Sequence, residues 1–287
     1  MNLTERAMLV RLSIGQWVGR KKDKRVTGNV IRGAAAAQDA GSWWTYLVPK
    51  NALEEIHAAS VAARFTFYRW TLPWTDEGYR ILLSTAYLDL VRDLRRIEQR
   101  FRAGVEAFLA RYSEWTAEAV ARERLGDLYQ LGVFPTQAQL RKCFHWSVEV
   151  IPLPDARDFR VNLGEAEVSR LRGEIEAQLQ DTFSRAAADV WPRLLKVVQH
   201  AHEKLSDPEA KFRDSLIRNI RELCTDVLPK LNLLDDPSME QVRQDVLRQL
   251  GELDPQQLRD VPQDRQAAAQ AAADLLKKID SYRGAAR

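Results

Sequence analysis

The residues best able to ligate a metal or act as a nucleophile are four histidines, His57, His145, His200 and His202, and two cysteines, Cys143 and Cys224. Two metal ligands on one helix must lie three or four residues apart to share a face. His200 and His202 are two apart in a helix-like segment and so diverge. Neither of these two follows a Glu by three residues, and the sequence holds no Cys-x-x-Cys, so no metal site is expected. Gly-x-Ser-x-Gly, Walker-type and Gly-x-Gly-x-x-Gly loops are missing from the sequence. Cys143 is close to His145, but the two are not expected to form a catalytic dyad. Both cysteines sit in apolar, periodic contexts and read as buried thiols in a reducing compartment. Asp89 and Asp93, and Glu114 and Glu118, share helical faces with Arg92, Arg96, Arg111 and Arg122, which is the pattern of solvated charge. Asp155 and Asp158 belong to a turn. The expectation is a protein with no catalytic motif and no cofactor.

Charge and aromaticity give a different signal. The chain as a whole is nearly balanced at +3, with 43 basic and 40 acidic residues. Its first fifty residues carry nine Lys and Arg against three acidic residues, and the excess peaks at Arg20, Lys21, Lys22, Lys24 and Arg25. Such a cluster could contact phosphate, with nearby Trp and Tyr stacking on bases. A second Arg-rich face (Arg92, Arg95, Arg96, Arg100, Arg102) is interrupted by Asp93 and Glu98. Trp43, Trp44, Trp70 and Trp74 are candidates for an interface or for packing, because aromatics dominate both.

The N-terminus lacks the apolar core of a signal peptide, and no run approaches the length of a membrane-spanning helix. A cytoplasmic location in a bacterial host cell is expected, without membrane contact. The charges at Glu149, Asp155, Arg157, Asp158 and Arg160 also argue against a pore-forming hairpin.

Period-two alternation at Val10, Leu12 and Ile14 predicts a strand over 8–17, and the basic stretch leads into a helix-like segment. A helix is expected from Asn51 to about Arg64, then a turn at Leu72–Gly78. From Tyr79 to Tyr129, Tyr87, Val91, Leu94, Phe101, Val105, Phe108, Tyr112, Trp115 and Ala119 step alternately by four and three. Glu98 occupies the one missing place, with Ile97 beside it. This heptad predicts one long helix of roughly 75 Å whose seam another helix must cover. Thr136 should cap a short helix. Strands at 144–150 and 159–163 should pair as a hairpin, which the strand at 8–17 would extend to three strands. A second long helix from Glu165, bent at Pro192, would return along the first. Helices follow from Ser206 and Asp236, and the Ala/Gln-rich stretch after Pro262 reads as a polar terminal helix. The expected fold is mainly α: an elongated antiparallel helical bundle or coiled coil with a small β-hairpin or three-stranded sheet. Three regions are expected: 1–78, 79–205 and 206–287.

Several of these positions together carry a family likeness. They are Leu12-Ser13-Ile14-x-x-Trp17 with Arg20-Lys21, the run from Leu72-Pro73-Trp74 to Leu82, and Tyr112, Leu125-Gly126, Phe134-Pro135 and Phe144. Pro152-Leu153-Pro154 and Asp158-Phe159-Arg160-Val161 complete the set. The chain resembles, over most of residues 1–200, a family of uncharacterised phage and prophage proteins, a domain of unknown function. Members are associated with genes for MoxR-like AAA+ ATPases and von Willebrand factor A-type proteins. The resemblance implies no site residues. It implies a helical partner or adaptor in an ATPase-driven phage assembly; with no catalytic motif, the expectation is a non-enzymatic interaction or adaptor protein that self-associates or docks on a partner through its long helices. The alternative, from the basic segment and aromatics, is a nucleic-acid-binding protein of phage DNA metabolism.

Overall fold

The computed structural model describes residues 3–75, 78–130, 132–158 and 164–285, with side chains up to residue 282. The chain is mainly helical with two small sheets. A first turn of helix, α1 (Leu3–Arg6), leads into β1 (Ala7–Gly15), β2 (Arg20–Lys22), α2 (Lys24–Gly33) and β3 (Trp44–Tyr46). Then come α3 (Glu54–Trp70), β4 (Leu72–Pro73), β5 (Arg80–Leu83), α4 (Ser84–Thr116), α5 (Glu118–Leu125), α6 (Gln137–Cys143) and β6 (His145–Pro152). The C-terminal half holds α7 (Glu165–Ala188), α8 (Val190–Ser206), α9 (Ser215–Glu222), α10 (Pro237–Val246), α11 (Pro255–Asp260) and α12 (Pro262–Ala285). One sheet has the order β4-β5-β1-β6, and β2 pairs with β3 in the other.

The strand expected over 8–17 is β1. Its sheet is wider than expected, because Leu72–Pro73, read as part of a turn, and Arg80–Leu83, read as helix, are strands. Ile81, Leu82 and Leu83 are buried in succession, which suits a strand covered on both faces and not one stripe of a helix. β6 neighbours β1. The proposed hairpin partner at 159–163 lies outside the described residues. The long first helix starts at Ser84, not Tyr79, and stops at Thr116, where Ala117 turns to an extended ψ of 130°. No proline or glycine marks that stop. Thr116 bonds back to the Tyr112 carbonyl (2.9 Å), a habit that weakens helices.

The chain divides into two compact units: Met1–Arg11, Tyr68–Leu90 and Glu149–Arg287, and Leu12–Phe67 with Val91–Val148. In the second unit the heptad of α4 is buried from Leu94 through Ile97, Phe101, Val105 and Phe108 to Tyr112. Ile97 fills the place that Glu98 would have held. The seam is closed by side chains from several elements. Trp17 lies 5.9 Å from Phe108, Trp146 lies 5.5 Å from Phe101, and Phe144 lies 5.9 Å from Phe108. Tyr112 donates to the Pro135 carbonyl (2.8 Å), and burial pushes its phenol up to about 12. Thr136 caps α6 in a reciprocal capping box with Gln139, as its position predicts.

In the first unit the stripe of α8 is taken up by α12. The two helices run antiparallel, since Trp191 stacks on Tyr282 (5.8 Å) while Arg265 donates to the Lys204 and Leu205 carbonyls at the other end. The C-terminal helix is therefore not a polar outer element. Ala268, Ala269, Ala272, Leu275 and Ile279 are buried in it, and the small alanines suit close packing on α8. The division between α7 and α8 falls at Asp189. Pro192 lacks the N–H that would bond Ala188, so the helix breaks just before it and resumes. Arg193 then ties this start down, donating to the Arg69 (3.0 Å) and Thr71 (2.7 Å) carbonyls. Among the described residues no helix is long and apolar enough to cross a membrane.

Ala272 is fully buried, so A272L inserts three carbons where none fit. It should destabilise the protein by about 1–3 kcal/mol in urea titrations read by tryptophan fluorescence.

Candidate nucleic-acid interface

The basic segment and two of the four candidate tryptophans come together in the second unit. β2 and β3 pair antiparallel with Arg20 opposite Tyr46, Lys21 opposite Thr45 and Lys22 opposite Trp44. Side chains opposite one another in a strand pair share a face, as do residues two apart. Arg20, Lys22, Trp44 and Tyr46 thus form one face of the ribbon, and all four are exposed. Thr45 points to the other face and is buried. Trp43, Trp44 and Tyr46 keep 45%, 43% and 38% of their surface in solvent, too much for packing aromatics. The Arg20 guanidinium lies 5.1 Å from the Trp44 ring centre, and the Lys50 ammonium 5.0 Å from that of Tyr46. Such cation–π contacts hold the rings in place at the surface.

The entry to the ribbon depends on Gly19. Its φ of +68° suits glycine, and a Cβ there would lie 2.8 Å from Leu53 Cδ1. Its carbonyl accepts from Leu47 N (2.8 Å), which extends the pairing by one step. The exit depends on Asp23, the only acid within Arg20–Arg25. Asp23 is buried, and its carboxylate caps α2 by accepting from Val26 N (3.0 Å). Its backbone N–H donates to the Trp43 carbonyl (3.0 Å), and Thr27 Oγ1 accepts from Trp43 N (2.8 Å). The fold thereby turns the one carboxylate of the segment inward as a helix cap, while the Asp23 N–H and the Thr27 hydroxyl fix Trp43. Arg124 supports β3 from α5 by donating to the Tyr46 carbonyl (2.5 Å), and Arg25 donates to the Asp127 carbonyl (2.8 Å). Among the described residues Arg20, Lys21, Lys22 and Lys24 have no carboxylate in ion-pair range. Beside Trp43 a cleft of about 360 Å³ is lined by Thr27, Val30, Ile31 and Ala36.

Other candidates separate from this patch. Trp70 is buried beneath Lys230 and Arg69, and Trp74 packs 5.6 Å from Phe183, so both are packing residues of the first unit. On the Arg-rich face of α4, Arg92 meets Asp93 (3.4 Å), Arg100 meets Glu55 (3.8 Å) and Arg102 meets Glu98 (2.5 Å), which neutralises much of it. Sequence reasoning missed Tyr46 and Lys50. The alternation Trp44, Thr45, Tyr46 was a signal for the first, but three residues are too few to separate a strand from a loop.

His200 is exposed, whereas His202 Nδ1 lies 3.1 Å from the Ala269 carbonyl, so the two histidines face different surroundings. His145 Nε2 lies 3.1 Å from Ser13 Oγ. Its ring crosses β1 at Gly15, where a Cβ would come within 2.1 Å of the imidazole. Among the described residues no three His, Cys, Asp or Glu side chains are grouped to hold a metal. The two cysteines were expected to be alike and are not. Cys143, at the end of α6, is exposed, because the chain turns from helix to strand there and the apolar periodicity around it does not persist. Cys224 is buried, and that burial pushes its thiol up to about 12.

No protein-family model matches the chain, and neither the curated proteins nor the solved structures compared with it give a match.

A thiol held near 12 and out of solvent stays protonated and unreactive at about pH 8, where an exposed one is partly thiolate. An aromatic disulfide reagent at that pH should therefore modify one thiol per native chain, at Cys143, and two in guanidinium chloride. Rapid modification of both in the native protein would contradict the burial of Cys224.

Proposed function

We propose that this chain binds single-stranded nucleic acid on the β2–β3 ribbon. One observation carries the reading. Two cations and two aromatic rings alternate on one exposed face, while the only acid in the basic segment is buried as a helix cap. Phosphates need cations free of carboxylate partners. Unpaired bases need exposed π faces, which duplex bases do not seek because they are already stacked. A guanidinium over an indole serves both needs, since its N–H groups reach phosphate and its outer plane can stack on a base. The cleft beside Trp43 adds apolar room for a base next to the strand's path.

In anisotropy titrations a labelled thymidine oligomer of about 20 nucleotides should bind more tightly than a duplex of that length. W44A should weaken binding about 5- to 100-fold, the range for loss of one stacked base. R20Q/K22Q should flatten the plot of log affinity against log salt by about 1.4, two single-strand phosphates' worth. Binding that ignores salt, or that is the same in both variants as in wild type, would remove this reading.

A second reading is a non-enzymatic interaction or adaptor protein that docks on itself or on an AAA+ ATPase of phage assembly, as the family resemblance implies. The observation favouring it is on α3, where Val61 and Phe65 are 67% and 70% exposed beside Ala58 and Ala62 in an open groove. Two large apolar residues a turn apart form a surface of the kind that partners bury. Self-association through α3 predicts a solution mass that is a multiple of 32.9 kDa by light scattering, reduced to one chain by F65S. A monomer whose mass F65S leaves unchanged rejects self-association through α3.

A further inference from the structure

The exposed helices of this protein usually supply each arginine with a carboxylate three or four residues away. Arg102 has Glu98, Arg111 has Glu114, Arg122 has Glu118, Arg170 has Glu167 and Arg185 has Asp181. One cleft in the first unit gathers basic side chains without such partners. Between the C-terminal half of α8 and the start of α9, a cleft of about 310 Å³ is lined by the polar side chains of His200, Lys204, Lys211, Arg213, Ser215 and Asn219 and by the apolar Phe212 and Leu216, with no acidic side chain in its wall. On α8 the residue four before Lys204 is His200, and Asp207, three after it, has its carboxylate on the Glu209 N–H (2.9 Å). Asp214, which follows Arg213 directly, is drawn away by Arg259 (2.8 Å). Among the described residues Lys204, Lys211 and Arg213 have no ion-pair partner.

Cations gathered in one cleft repel each other, and the simplest relief is an anion among them. Of the remaining lining side chains Phe212 and Leu216 are apolar, and three can donate to an anion rich in acceptor oxygens: Ser215 offers a hydroxyl donor, Asn219 an amide donor, and His200 a ring N–H. Arg213 and the lysines are the side chains most used for phosphate, as a planar fork and as point charges. The volume is at the small end of ligand sites, enough for a diphosphate and too small for a large organic ligand. We infer that this cleft binds a phosphate-bearing anion, held by Lys204, Lys211 and Arg213. The inference is independent of the ribbon, which belongs to the other unit. The phosphate could be that of a small polyphosphate or of a nucleic-acid backbone, and the experiment below distinguishes the two sources.

The test is titration calorimetry of the full chain with inorganic pyrophosphate, for wild type, K211Q/R213Q, K204Q and the ribbon variant R20Q/K22Q. Circular dichroism would verify that each is folded. Saturable binding is expected in wild type and R20Q/K22Q. It should weaken at least about tenfold in K211Q/R213Q and in K204Q, as expected for lost charge-assisted hydrogen bonds. That outcome assigns the cleft to a small polyphosphate. If pyrophosphate does not bind, a backbone phosphate is assigned when K211Q/R213Q lowers the salt slope for the thymidine oligomer. The inference is overturned if pyrophosphate binding is equal in wild type and the cleft variants. It is also overturned if pyrophosphate fails to bind and the oligomer's salt slope is unchanged by K211Q/R213Q.

Discussion

The apolar seam of α4 is the surface on which the ribbon-bearing unit is assembled. Leu94, Ile97, Phe101, Val105, Phe108 and Tyr112 lie on one side of a helix about 50 Å long, and leaving them in water would cost several kcal/mol. Their cover is supplied by Trp17 and by Phe144 and Trp146, from two stretches of the sequence far apart from each other. Gly104 continues this logic, since a Cβ there would lie 3.3 Å from Ile56 of α3. With Trp17 seated on the seam, the chain that follows it is delivered to Gly19 and the ribbon. Leu47, Val48 and Leu53 are buried beneath and hold the apolar underside. The cations and rings on the outer face contribute little to this core. That freedom is what allows them to be exposed together.

The first unit rests on a different device. Its α8 and α12 approach closely because α12 presents alanines, and the polar ends of the pair are closed by arginine. Arg265 collects carbonyls at the end of α8, and Arg193 collects those at the end of α3, where Thr71 is completely buried. Arg80 also donates to Thr71, to Oγ1 (2.7 Å) and to the carbonyl (3.1 Å). Burial, with Arg193 nearby, holds the Arg80 guanidinium below its ordinary pKa. Two arginines share one buried strand end, where their N–H groups satisfy carbonyls shut off from water and the Asp189 carboxylate, bound to Arg193 (2.6 Å), offsets part of the crowded charge.

These two uses of arginine clarify the surface. Where a basic residue supports the fold it has a carbonyl or carboxylate partner, as Arg193, Arg265 and Arg102 do. Where basic residues gather without such a partner, at Arg20–Lys24 and at Lys204–Arg213, the fold gains nothing from placing like charges together. The phosphate binding proposed for both places rests on this contrast.

Much of the architecture was legible in residue spacing. The seam of α4, strand β1, the capping box at Thr136 and the helix start at Asp236 follow from local patterns, since each concerns residues within a few turns of one another. The basic run and the tryptophans were visible too, as composition. What local pattern could not supply was partnership. That α12 and not a polar tail covers α8, that Ile81–Leu83 are strand, and that Cys143 is exposed while Cys224 is buried all depend on what packs opposite. The ribbon is the clearest instance. Arg20–Lys22 and Trp44–Tyr46 lie some twenty residues apart, too short and too polar for periodicity to mark them as strands. Only their antiparallel pairing, with Asp23 turned inward, places two cations and two rings on one face, because side-chain direction in a strand is fixed by its partner and not by its own sequence.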